Sequence, residues 1–173
     1  MAVIDPASLK WYLSGGAANT DPDASLGGAR STSTQAPETL NGLFNPVTGD
    51  EAVAGSIKYR CVYLRNEDAN VNGLMAPLSV WISSQTSSPD TSLKIAIDPA
   101  GKNASAFGPV ANEDTAPTGP SFTAPSAKGT LSLPAAPYAQ NDYVAVWIER
   151  TVTAGADPAA SDSTTIRVEG DTL

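Results

Sequence analysis

Few residues in this chain have types and spacings that could do chemistry. There is no histidine among the 173 residues, which removes the Ser-His-Asp triad, the Cys-His pair and imidazole metal sites together. The one cysteine, Cys61, stands between Tyr59 and Tyr63 at a spacing of two on either side. A reactive thiol needs a nearby cation or a helix N-terminus to lower its pKa, and nothing adjacent in sequence supplies one. Cys61 is expected to be a buried small hydrophobe, and a lone cysteine forms no intramolecular disulfide. Residues 68–73, Asp-Ala-Asn-Val-Asn-Gly, repeat the first half of a calcium loop. The closing bidentate glutamate should fall at position 79, which is Ser79, and the flanks read as strands. A turn of residues that tolerate left-handed backbone is the expectation there. Asp21 and Asp23, on either side of Pro22, offer oxygen donors to a hard cation or form a solvated turn.

Glycoside hydrolysis needs two facing carboxyls. Glu149 and Glu169 sit on strand-like segments, where they are expected on exposed faces. Trp11, Trp81 and Trp147 are each on a strand candidate. Exposed and coplanar they would make a sugar platform or an interface hot spot; otherwise they cap the core or pack between sheets. Asn103-Ala104-Ser105 fits the N-glycosylation pattern, but no secretory signal accompanies it. The residues therefore point to no catalytic group, no metal and no cofactor, and the protein is expected not to be an enzyme.

The elements that must position these residues are strands. In residues 56–66, Ser-Ile-Lys-Tyr-Arg-Cys-Val-Tyr-Leu-Arg-Asn, the odd-numbered residues Ile57, Tyr59, Cys61 and Tyr63 share one side of an extended chain. From Val62 onward both faces are apolar, as in a central strand covered on both sides. Further strands are expected at 9–14, 77–83, 92–98, 130–133, 143–152 and 164–168, separated by Pro/Gly/Asn/Asp turns. The expected order is the long strand, a hairpin partner, a crossing loop and then two more paired strands. Tyr143, opening a late strand, either sits at a corner like the sandwich tyrosine or is a plain aromatic core position. No helical periodicity, internal repeat or interdomain linker is visible. The expected fold is all-β: one domain over 1–173, an antiparallel, immunoglobulin-like β-sandwich with long ordered loops and an extended N-terminal region. Its expected core is Ile57, Tyr59, Val62, Leu64, Val80, Ile82, Ile95, Val144, Val146, Ile148, Ile166 and Val168.

Composition narrows the partners. Ten basic against 18 acidic residues give a net charge of -8, so neither nucleic acid nor an anionic membrane, which require a basic surface, is an expected partner. The N-terminus has no basic segment followed by an apolar one, so no signal peptide is expected. Residues 17–55 are polar and poorly periodic, with Leu26, Leu40, Leu43 and Phe44 as their main hydrophobes. A segment of this kind is long for a structureless loop, so it either contains short edge strands or is an arm that orders against another chain.

Several stretches resemble a family of small tailed-bacteriophage structural proteins. They are Lys10-Trp11-Tyr12-Leu13-Ser14-Gly15-Gly16, Asn19-Thr20-Asp21-Pro22 and Ala24-Ser25-Leu26-Gly27-Gly28. Later come Tyr59-Arg60-Cys61-Val62-Tyr63, Val146-Trp147-Ile148-Glu149-Arg150-Thr151-Val152 and Arg167-Val168-Glu169-Gly170-Asp171. The resemblance spans nearly the whole chain and carries no catalytic or ligand-binding residue. It implies a virion component on the capsid, neck or tail, made in the host cytoplasm, with other virion proteins and copies of itself as partners. Trp11, Leu26, Leu40, Leu43, Phe44, Trp81 and Trp147 are the expected contact residues. The alternative is a carbohydrate- or receptor-binding sandwich that uses the tryptophans.

Overall fold

A computed structural model describes residues 5–35, 41–69, 75–159 and 161–172. In chain order they form β1 (Leu9–Ser14), β2 (Arg30–Thr34), a short helix α1 (Gly49–Ala54), β3 (Ser56–Asn66), β4 (Met75–Ser84), β5 (Thr91–Ile97), β6 (Tyr143–Val152) and β7 (Thr165–Thr172). Five strands make one sheet in the order β2-β1-β3-β6-β5, and β4 and β7 make a second. All the strand pairings are antiparallel. The fold is all-β in two antiparallel sheets.

β3 has the bounds its alternation predicts and lies at the centre of the large sheet, between β1 and β6. Its two faces enter different cores. Val62 and Leu64 join Val144, Val146 and Ile148 of β6, Ile95 of β5 and Leu78, Val80 and Ile82 of β4 in a cluster shared by the two sheets. Tyr59, Cys61 and Tyr63 join Tyr12, Ala96, Ala145 and Trp147 in a second cluster on the opposite face. Loops close that second cluster, with Ala106 buried in it and Val110 and Phe122 packed against it. The large sheet is therefore covered on both faces, which is why the end of β3 reads as apolar on both sides.

Several expectations need correction. β3 and β4 are not a hairpin, and β6 and β7 are not paired: β4 crosses to the second sheet and pairs with β7, while β6 lies between β3 and β5. The physical reason is that β1 and β6 already fill both edges of β3. Residues 130–133 form no regular strand but lie along β4, through the Ser132 to Ser79 bridge and the Val80–Leu131 and Leu133–Leu78 backbone bonds; Gly129 and Pro134 bound them too closely for a longer run. Ile57 is 46% exposed, because it lies near the end of β3, opposite Thr151. Ile166 and Val168 are only half-buried, since β7 is an edge strand. The other nine expected core residues are buried. Truncating Ile95 to alanine should cost on the order of 2–4 kcal/mol in urea unfolding, from lost transfer energy plus a cavity. The same truncation of Ile57 should stay within about 0.5 kcal/mol.

Of the two expectations for residues 17–55, short edge strands or an arm ordered by another chain, the described part takes the first and is built into the sheet. β2 pairs with β1. Past the end of β1, the Cys61 N–H donates to the Ser25 carbonyl and the Tyr59 N–H to that of Glu113, both at 2.8 Å. Loop backbone thus continues the edge where a strand would lie. Gly27 lies close against the sheet: at φ +101°, an added Cβ would stand 2.9 Å from Cζ2 of Trp147. The segment is polar because its stabilisation comes from backbone hydrogen bonds and ion pairs rather than a periodic apolar face.

Candidate interaction surface

The three tryptophans occupy three different layers. Trp147 is fully buried in the loop-covered cluster, its indole N–H donating to Asp98 Oδ2 at 2.8 Å. Trp11 is half-buried against the cluster between the sheets. Trp81 lies on the opposite face of β4 from Val80 and Ile82, with the Arg167 guanidinium 5.8 Å from its ring centre. They form no row and no sugar platform. Trp147 is therefore corrected from a contact residue to a core residue.

Leu43 and Phe44 pack against the cluster between the sheets, Leu26 is half-buried beside the loop-covered one, and Leu40 lies outside the described residues. Phe44 sits between two guanidiniums, 5.4 Å from Arg60 and 4.9 Å from Arg150. Those arginines belong to a charged extension of the apolar face, because Lys58, Arg60, Val62 and Leu64 follow one another at spacing two along β3. Residues 41–55 cover it. Arg60 Nε donates to the Leu43 carbonyl at 3.1 Å and Arg150 Nη1 to that of Asn45 at 2.7 Å. Lys58 bridges Glu51 and, at 2.6 Å, Glu113; Arg60 bridges Glu113 and, at 2.7 Å, Asp23. Thr48 and Glu51 close a reciprocal capping box that starts α1 and aims Glu51 at Lys58.

These pairs predict a pH dependence. Burial by itself would raise the Glu51 and Glu113 carboxyls, but hydrogen bonds from Lys58 and, for Glu113, Arg60 outweigh it, and both are held below the ordinary value. Asp23 is also lowered, by its bonds from Asn45 and then Arg60. A carboxyl whose pKa is depressed in the folded state contributes stability above its unfolded pKa and loses it as pH falls through the folded one. The cover formed by 41–55 should thus hold at neutral pH and loosen below about pH 4. Amide exchange of residues 41–55, followed down a pH series and corrected for intrinsic rates, should accelerate there before exchange in β3 and β6 does.

The other candidate groups are structural. Burial pushes the Cys61 thiol far up, out of reach of thiolate chemistry. Glu149, expected on an exposed face, is buried and paired with Lys94 at 2.8 Å. It and Glu169 lie in different sheets, so no paired-carboxylate site forms. Asp21 caps a 3-10 turn at Pro22–Ala24 and Asp23 is taken by Arg60 and Asn45. Asp68 accepts the Asp5 N–H at 2.6 Å, and Ser79 donates to the Glu169 carbonyl; residues 70–74 of the calcium-like loop lie outside the described residues. Asn103 uses both ends of its amide, toward Asp142 and the Tyr143 N–H. Tyr143 packs edge-on against Tyr63. It is Tyr138, five residues earlier and buried, whose hydroxyl donates back to a carbonyl four residues upstream, that of Pro134, at 2.8 Å. Sequence reasoning missed Tyr138, and its signal was an aromatic closing a Pro-flanked turn before a strand.

No family model, curated protein or solved structure matches the chain. Among the described residues no helix is long and apolar enough to cross a membrane.

Proposed function

We propose that this protein is a non-enzymatic structural component of a tailed-phage virion, an immunoglobulin-like β-sandwich that decorates or joins the capsid, neck or tail through protein–protein contacts. The observation that carries the reading is where the phage-like stretches fall. Lys10–Ser14, Tyr59–Tyr63 and Val146–Val152 lie on β1, β3 and β6, three neighbouring strands of the large sheet, and Arg167–Asp171 lies on β7 of the other. Asn19–Gly28 covers its loop-side face, where Gly27 meets Trp147. The likeness is thus concentrated in framework and not in a cleft, as suits a part whose job is shape. The finer topology draws support from two antiparallel sheets sharing one apolar cluster and from the Tyr138 bond to Pro134 just before β6, which has the form of a tyrosine corner. The charge of -8 turns the surface away from nucleic acid and anionic membranes and leaves protein surfaces as the partners, in the particle and among copies of this chain.

The test is location. In a host culture producing tailed particles that encode this chain, it should co-sediment with purified particles through a density gradient. Antibody-gold against it should mark one discrete place on them. A chain that stays in the soluble fraction while complete particles sediment without it overturns the proposal.

A further inference from the structure

We propose that the outer edge of β7 is a homodimer interface, on which a second copy of this chain adds its own β7 in antiparallel register centred on Val168. This deepens the reading above, in that it rests on the protein acting through contacts between chains, and it names the surface.

The argument starts from which strand edges are closed. β4 is paired on both sides: with β7 on one, and on the other with residues 125–133. There the Val80 and Ile82 N–H groups donate to Leu131 and Pro125 at 3.0 and 2.7 Å, and Leu78 accepts from Leu133 at 2.8 Å. β5 is closed as well. The Gln85 carboxamide donates to and accepts from the backbone of Leu93 at 2.7 and 3.0 Å, as a neighbouring strand would, and Thr123 bridges Ile95. β2 is short, rich in Ser and Thr, and joined to β1 through an irregular register, which are features of a protected edge.

β7 lacks these protections over Ile166–Gly170, where its register against β4 is regular; the shifts fall outside that stretch, between Met75 and Leu78 and between Ile82 and Ser84 of β4. Leu78, Val80 and Ile82 turn their backbone groups toward 125–133, so they are the wide, non-bonded partners of Gly170, Val168 and Ile166. Those three β7 residues consequently point N–H and C=O away from β4. Among the described residues none bonds to them. An open, regular edge of this kind is a template for another strand.

The sequence of the edge selects the occupant. In a two-fold pairing about Val168, Val168 faces its own copy and Ile166 faces Gly170 of the other. These are the residues with outward backbone groups, so each such pair exchanges two hydrogen bonds. The same register sets Arg167 directly opposite Glu169 of the second copy, twice by symmetry. Opposite charges across a strand pair stabilise it and like charges oppose it. Arg167 is exposed above Trp81, and the phase of the open backbone groups and the placement of charge agree on one register.

Sedimentation velocity of the full chain across a concentration series tests this. The wild type is expected to dimerise reversibly. Arg167→Glu puts like charges opposite each other at both symmetry-related pairs and should weaken the dimer about tenfold or more. Glu169→Arg should do the same, and the double exchange Arg167→Glu with Glu169→Arg should restore it. Val168→Pro, which removes an outward N–H at an edge where proline is tolerated, should leave a folded monomer. The charge exchange keeps the test decisive if that variant does not fold. A wild type that is monomeric throughout, or a dimer indifferent to these changes, overturns the proposal. A charge-sensitive dimer absent from particles sinks the virion reading alone, and a particle-bound monomer sinks this one alone.

Discussion

A chain lacking residues 17–49 should not fold. The polar, aperiodic character of this segment suggests a dispensable arm, and its deletion would then leave the sheets intact. The structure gives the opposite expectation, and the reasons can be weighed. Deletion takes away β2, the Ser25 carbonyl that accepts from Cys61, and the Gly28 carbonyl that accepts from the Tyr63 hydroxyl. It removes Asp23 and the Leu43 carbonyl from Arg60, and the Asn45 carbonyl and the Phe44 ring from Arg150. It also takes Leu43 and Phe44 off the cluster between the sheets and the Gly27 backbone off the Trp147 ring. Burial of each large apolar side chain is worth about 1.5–3 kcal/mol, so these losses together reach the whole stability of an ordinary domain, about 5–15 kcal/mol. The deleted chain should lose its near-ultraviolet circular dichroism and its cooperative urea transition. Gly27→Ala offers a gentler version. The added Cβ meets the Trp147 ring and, at 3.0 Å, the Phe107 carbonyl in a left-handed backbone conformation, which should cost about 2–4 kcal/mol. A cooperative transition retained by the deleted chain would restore the arm.

The difference between these two readings shows what was legible in the sequence. β1, β3 and β6 stand out from alternation alone, because their apolar residues recur at spacing two and turn residues bound them. The double covering of β3 was legible too, in the change from alternating to continuous apolarity at Val62. What alternation does not carry is which strand lies beside which: β3 and β4 are neighbours in sequence, yet they sit in different sheets. Nor does it carry elements stabilised by single backbone bonds. Ser25 and Glu113 through their carbonyls, and Thr123 through both its backbone groups, stand in for strand residues without strand-like sequence, since no side chain is needed. The charged cluster was hidden for another reason. Arg60 and Arg150 fall at positions that read as solvent-facing in a sheet with one wet side, and only the covering loop makes them interior.

Asp98 is the side chain that ties the loop-covered face together, and Asp98→Ala should be the most damaging single polar substitution, costing on the order of 3–5 kcal/mol. It follows β5 directly and is 1% exposed. Its carboxylate accepts three N–H groups: Trp147 Nε1 at 2.8 Å and Phe107 at 3.2 Å on Oδ2, and Ala100 at 2.9 Å on Oδ1. These come from the central sheet, from the loop over it and from the turn after β5, so one group fixes three pieces of backbone and the deepest indole. Alanine leaves the donors without an acceptor in a site that packing closes to water, and each buried unsatisfied group costs about 1–3 kcal/mol. A merely cavity-forming site would behave differently, and a double-mutant cycle separates the two cases. Trp147→Phe removes the indole donor while keeping an aromatic ring in place. If the carboxylate acts through that bond, Trp147→Phe should cost about 1–2 kcal/mol less in the Asp98→Ala background than in the wild type. Urea unfolding followed by far-ultraviolet circular dichroism reads all four proteins without relying on tryptophan fluorescence. Additive costs, with Asp98→Ala below about 1 kcal/mol, would mean that the loops hold their place without the carboxylate and that apolar packing around Trp147 closes this face unaided.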